Sequence, residues 1–130
     1  EPSVVVLDEP LAGLDPERSR LVAERIRQVH QGGISVVLST HDLEFAAEIA
    51  DRVCVMADGN IVGTGPPAEV FYDDALLREA NLHPPHTVRI ARNVGVGATR
   101  PVTEADLAAL LRDGADGSGR TAAADDRGRE

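Results

Sequence analysis

Short apolar runs alternate along the chain with longer stretches that carry a single apolar stripe, and this rhythm predicts most of the elements. Ser3 to Leu7 is a continuous, β-branched run ending in two acids, the pattern of a strand buried on both faces of a parallel sheet. From Pro16 to about His30, Val22, Ile26 and Val29 form one stripe of a helix. Asp15 stands at its N-cap, Pro16 at its first position and Glu17 in its first turn, and Gln31-Gly32-Gly33 ends it. Ile34 to Leu38 repeats the buried-strand pattern. Ser39 to Asp42 then leads into a second helix, where Leu43, Ala46, Ala47 and Ala50 fall on one face.

Strand, helix, strand, helix is the signature of a parallel α/β sheet. The pattern then changes. Arg52 to Ala57 and Asn60 to Gly63 flank Asp58-Gly59, a hairpin signal because both turn positions tolerate positive φ. From Pro67 onward the text is helical and short-jointed, with helices predicted over Ala68 to Tyr72, Ala75 to Ala80 and Pro85 to Arg92. Gly65 takes the capping place that Pro66 cannot fill, and Asp73-Asp74 reads as a turn and helix cap. His83-Pro84-Pro85 reads as a rigid joint. A last helix, Glu104 to Arg112, begins at Thr103 with Asp106 three residues on, a capping box, and its stripe is Leu107, Leu110 and Leu111. After Asp113 no large apolar residue remains, so residues 113–130 are expected to be a disordered tail.

A chain of 130 residues is one small domain or a piece of a larger one. The start at Glu1-Pro2-Ser3, directly before a strand, reads as a truncation. No apolar run approaches the roughly 18 residues that would cross a bilayer, so the segment reads as soluble, with any membrane link running through a partner. The net charge of −9, with Arg as the only strong base, argues against nucleic acid as a partner. Cys54 is alone within Val53-Cys54-Val55-Met56, which excludes a disulfide scaffold and reads as a small core residue.

The strongest chemical signal is Val4-Val5-Val6-Leu7-Asp8-Glu9-Pro10. Two adjacent carboxylates at the carboxyl end of a buried parallel strand are costly unless a cation or substrate meets them, and open α/β sheets bind ligands at that edge. Asp8 is the candidate Mg²⁺ ligand, suited to a hard oxygen-seeking ion. Glu9, one position on, is the candidate base that activates a water against a terminal phosphoryl group. The plainer alternative is a turn and a cap, since acids are common where strands stop. Against it, Pro10-Leu11-Ala12-Gly13-Leu14-Asp15-Pro16 follows at once and Ser39-Thr40-His41-Asp42 closes the next strand, gathering three polar clusters at one sheet edge. The other histidines read as structural: His30 sits near a helix end, where a cation suits the dipole, and His83 and His86 straddle two prolines at non-ligand spacing.

These motifs resemble those of ABC ATPases. Leu7-Asp8-Glu9-Pro10 is similar to the Walker B motif, Ala12-Gly13-Leu14-Asp15 to the D-loop, and Thr40-His41-Asp42 to the H-loop. Leu11 stands where the family often has a small hydroxyl residue. The resemblance implies the C-terminal part of a P-loop NTPase fold: parallel strands, a terminal hairpin and added C-terminal helices. It implies ATP and Mg²⁺ as cofactors, Asp8 at the metal, Glu9 as catalytic base, His41 at the γ-phosphate, and Asp15 in a loop crossing a dimer interface. Plain N-capping by Asp15 stays open beside that role. It also implies a second ATPase subunit and a transmembrane subunit as partners, at the cytoplasmic face of the membrane. No G-x-x-x-x-G-K-[ST] loop occurs in the sequence, so the chain alone is expected to be inactive, and in the family the missing strand would lie between the second and third strands here.

Asp58 to Pro66 and Leu82-His83-Pro84-Pro85 with the helices that follow resemble cobalt/nickel and energy-coupling-factor transporter ATPases. The expected division is 1–72 for the ATPase core portion, 73–112 for a helical extension that adds contact between two subunits, and 113–130 for the tail. An ABC ATPase outside transport and a non-catalytic interaction fragment are the alternatives. The first would carry coiled-coil arms or basic linkers, and the second would have no reason to keep Asp8, Glu9 and His41 together.

Overall fold

The computed structural model describes residues 3–117, and side chains as far as Gly114. Strand β1 (Val4–Asp8) leads through a turn to helix α1 (Pro16–Gln31), then β2 (Ser35–Ser39) and α2 (Leu43–Ile49). β1 and β2 pair in parallel with Val4 opposite Ser35 and Asp8 opposite Ser39. Asp15 caps α1 by accepting from the Arg18 N–H at 3.0 Å, and Asp42 caps α2 by accepting from the Phe45 N–H at 3.0 Å. Each cap stands on the segment between a strand and the helix it starts, and fixes where that helix begins.

Strands β3 (Val53–Ala57) and β4 (Asn60–Gly65) form an antiparallel hairpin. Asp58 and Gly59 have φ of 48° and 78°, the two positive values that a tight primed turn requires. Val55 faces Gly63 and Met56 faces Ile61, so Val62 is an extra residue in a bulge that the sequence pattern did not announce. β4 continues to Gly65, beyond the predicted end at Gly63. Among the described residues the two sheets do not pair with each other: β1 pairs with β2, and β3 with β4.

Helices α3 (Pro67–Val70), α4 (Asp74–Glu79) and α5 (His86–Asn93) follow, then a 3-10 turn at Gly97–Thr99 and helix α6 (Glu104–Gly117). Asp73 caps α4 by accepting from the N–H groups of Ala75 and Leu76. The box at α6 closes as drawn from the sequence: Asp106 N–H donates to Thr103 Oγ1 at 3.2 Å and Thr103 N–H to Asp106 Oδ2 at 3.3 Å. α6 carries on through Gly117 instead of stopping at Arg112, which corrects the first part of the expected disordered tail. Gly114 is a penalty of about 1 kcal/mol within a helix, not a stop, and a helix already nucleated gains a bond with each residue added. Residues 118–130 of that expected tail lie outside the described residues.

The core has two parts. Ala23, Ile26 and Phe45 are buried against Leu7, Leu11, Val22, Val36, Leu38 and Ile49, which joins α1 and α2 to the parallel pair. Ala46, Ala47, Val55, Val70, Phe71, Leu77 and Val88 form the other part, around the hairpin and α3 to α5. α2 therefore contributes to both, with Phe45 in one cluster and Ala46 and Ala47 in the other.

Two expectations about burial do not hold. β1 and β2 are not buried on both faces: Val5, Leu7, Val36 and Leu38 turn inward, while Val4, Val6 and Val37 are exposed. A parallel pair needs a layer on each face, and α1 covers one of them. Cys54 is also exposed, because strand alternation turns Val55 inward and Cys54 and Met56 outward.

Candidate functional site

The end of the parallel pair builds the site. In register, Asp8 and Ser39 are opposite partners at the carboxyl ends of β1 and β2. The Ser39 hydroxyl donates to Asp8 Oδ1, and it also accepts from the Glu9 backbone N–H at 3.0 Å. Glu9 N–H is shared with the Ser39 carbonyl at 3.1 Å. The sequence reading placed Ser39 in the polar cluster that closes β2 without a role of its own; the register of the two strands puts its hydroxyl level with Asp8.

Glu9 leaves the strand with φ of 44°, in the left-handed region that non-glycine residues seldom adopt. Such a conformation costs of order 1 kcal/mol and persists where surrounding bonds dictate it. Here the Glu9 N–H is held by Ser39 and the Glu9 carbonyl accepts from the Ala12 N–H at 3.0 Å. The abrupt turn departs from strand alternation and leaves Glu9 Oε1 3.0 Å from His41 Nδ1.

His41 lies between β2 and the N-cap of α2, and its side chain is 83% exposed. The hydrogen bond to Glu9, and then the charge of Glu9, raise the imidazole pKa above its ordinary value; desolvation opposes the rise, and the Asp42 carboxylate makes the smallest addition to it. With Nδ1 engaged by Glu9, a protonated imidazole retains its Nε2–H as a donor to an anion. Asp8, Glu9 and His41 thus share one rim. Asp15 does not join them: it caps α1 and pairs with Arg18 at 3.5 Å.

A Mg²⁺ ion fits the donors present in one way. Asp8 offers a carboxylate beside the Ser39 hydroxyl, both exposed hard oxygens, and Mg²⁺ commonly takes one or two carboxylates and completes its shell with waters and substrate phosphates. No group of three or more His, Cys, Asp or Glu side chains that could cage a metal occurs among the described residues. No helix among them is long and apolar enough to cross a membrane.

The fold that positions these residues matches the C-terminal part of a P-loop NTPase of the ABC type. The solved structure of cbiO1 from Clostridium perfringens, part of the ABC transporter complex cbiONQ, superimposes with a TM-score of 0.52 at 33% identity, covering 72% of this chain and 37% of that one. The chain is homologous to the ATP-binding proteins of ABC transporters and corresponds to a C-terminal portion of them. The energy-coupling factor transporter ATP-binding protein EcfA2 of Lacticaseibacillus paracasei is 39% identical over 116 residues, 85% of this chain and 40% of that protein. EcfA of Methanocaldococcus jannaschii is 40% identical over 90 residues, 69% of this chain and 32% of that protein. The chain thus spans well under half the length of these relatives. The family described as "AAA domain, putative AbiEii toxin, Type IV TA system" matches residues 1–47, the segment that carries Asp8, Glu9 and His41.

Proposed function

We propose that the chain is the C-terminal part of the ATP-hydrolysing subunit of an ABC transporter, energising cobalt, nickel or vitamin uptake of the energy-coupling-factor type. The observation that carries this reading is the 3.0 Å contact between Glu9 and His41 beside Asp8. Glu9 takes a proton from the water that attacks the terminal phosphoryl group. His41, held through Nδ1, donates from Nε2 to a γ-phosphate oxygen and loses that partner when the phosphate leaves. Asp8, oriented by Ser39, holds Mg²⁺, which when bound neutralises charge on the phosphates. Asp15 belongs to a loop that meets a second ATPase subunit, and its capping bond keeps that loop in place.

The names of the relatives support the choice of transporter class: two are energy-coupling-factor proteins and one is part of a complex with other subunits. The same likeness supports a paired ATPase subunit and a transmembrane subunit as partners, at the cytoplasmic face of the membrane. The 130-residue chain by itself does not hydrolyse ATP in this reading, because it contains no G-x-x-x-x-G-K-[ST] loop to cradle the phosphates.

The test is Glu9→Gln in the complete subunit. ATP binding persists and a closed dimer accumulates, while turnover falls by about 10²–10⁴, the usual worth of a positioned base. Turnover at the parental rate would remove Glu9 from the base role and the reading with it.

A further inference from the structure

α5 begins without a cap of its own. Its N-cap residue is Pro85, which has no side-chain oxygen, and no side-chain capping bond is made from that position. The first helical N–H, that of His86, is instead taken by Glu44 Oε1 on α2. The same oxygen lies 3.1 Å from His86 Nδ1. A carboxylate at a helix N-terminus satisfies a donor that would otherwise lack a helical partner and complements the helix dipole. Here that carboxylate comes from a helix 42 positions earlier in the chain.

The helix that supplies it is the one that positions His41. Asp42, next to His41, caps α2, and Glu44 sits in the first turn of α2. Deeper along the two helices, Ala46 and Ala47 of α2 and Val88 of α5 share one buried cluster. Glu44 thus fastens the N-terminal ends of α2 and α5 to each other, while the buried cluster joins their bodies. The other surface pair on α2, Glu48 with Arg27 at 3.1 Å, ties α2 to α1 instead.

We infer that Glu44 is a positioning residue: by capping α5 in trans it couples the C-terminal helices to the loop that presents His41 to the nucleotide. The inference rests on the ATPase reading above. Loosening the tie lets α2, and His41 with it, shift against Glu9, so the chemical step slows while nucleotide affinity is kept.

The test uses the complete subunit and reads kcat and KM for ATP together. Glu44→Ala removes the acceptor, and kcat falls about fivefold with KM within about twofold, the size of effect typical of residues that couple distant elements. His86→Pro attacks the tie from its other end: proline suits a first helical position, so α5 is kept while the donor is lost. It lowers kcat to the same degree, and the double variant is no slower than either single one, as partners in one interaction require. Glu44→Gln retains an oxygen for the backbone N–H and recovers most of the rate. Glu48→Ala, which loosens α2 from α1 alone, stays within about twofold of the parent. The inference is overturned if Glu44→Ala and His86→Pro turn over at the parental rate, if their effects add, or if Glu48→Ala slows the enzyme equally. Should Glu44→Ala fail to fold, His86→Pro and Glu44→Gln decide alone. Glu9→Gln run alongside keeps the two readings apart: loss of turnover there with no effect at Glu44 rejects the coupling and leaves the ATPase.

Discussion

The two halves of the molecule bury their strands differently. In the N-terminal half the parallel pair is covered on one face, and on the other Val4, Val6 and Val37 are 50%, 74% and 56% exposed. In the C-terminal half α2 to α5 close around the hairpin until Phe71, Val88 and Ala91 have no accessible surface. Polar ties reinforce that closure: Arg92 bonds Asp74 at 2.8 Å and the Tyr72 carbonyl at 3.2 Å, and the Tyr72 hydroxyl donates to the Pro101 carbonyl. Asp8, Glu9 and His41 all stand on the half with the less complete core. These three candidate residues are therefore held mainly by the Ser39 bonds across the strand rim and by the Asp42 cap, and only indirectly by the larger hydrophobic cluster.

The comparison breaks most easily at the cores. Phe71→Ala is expected to cost about 3–5 kcal/mol in denaturant unfolding, the usual loss for a fully buried phenylalanine. Val6→Ala, on the open face, is expected to stay within about 0.5 kcal/mol. Equal losses at the two positions would mean that the open face is packed in solution and that the two halves are alike. The expected contrast would establish that the stability of the chain resides in the C-terminal cluster.

A smaller effect sharpens the same contrast by holding local structure constant. Asp15 caps α1 in the open half and Asp73 caps α4 in the closed half, each through bonds of about the same length. Because capping is a local interaction, Asp15→Ala and Asp73→Ala should each cost about 1 kcal/mol despite their different surroundings. Asp15→Asn, which keeps the acceptor, should cost only a few tenths. A loss at Asp15 several times that at Asp73, measured by thermal unfolding, would show that the loop before α1 does more for the fold than start a helix.

What the sequence discloses divides along the same line between local and tertiary. The caps at Asp15 and Asp73, the Thr103 and Asp106 box, and the Asp58-Gly59 turn are written in neighbouring residues, so they can be read directly. The approach of Glu9 to His41 is readable for a related reason: each follows a strand of one parallel pair, and parallel strands bring their carboxyl ends to a common rim. The exposed faces of Val4, Val6 and Cys54 are not readable, since a buried strand and a half-covered one have the same composition when the covering layer is unknown. Nor are the Val62 bulge, the part of Ser39, and the reach of Glu44 to His86, each of which depends on which segments meet in space. The helical reach of α6 past Arg112 eluded composition because a run poor in large apolar residues still permits a helix to continue.

The smallest expected effect concerns His41, whose side chain is almost wholly in water. Its pKa is raised from 6.5, first by the hydrogen bond to Glu9, then by the charge of Glu9, with a lesser addition from Asp42. A raised value in the folded state means that the protonated imidazole is favoured there over the unfolded chain. The resulting stabilisation is fully present below the unfolded value of 6.5 and fades as pH rises through the higher folded value. Glu9→Gln leaves an acceptor but no charge, so the titration midpoint of His41, followed by imidazole proton resonances, should fall back toward 6.5. Asp42→Asn should move it less, because Asp42 is the smaller cause and its cap on α2 is retained by asparagine. If Asp42→Asn moved the midpoint more than Glu9→Gln, the field at His41 would come from its own loop and not from across the strand rim. The Glu9–His41 contact across the two strand ends would then contribute less to the charge state of the imidazole than the cap beside it does.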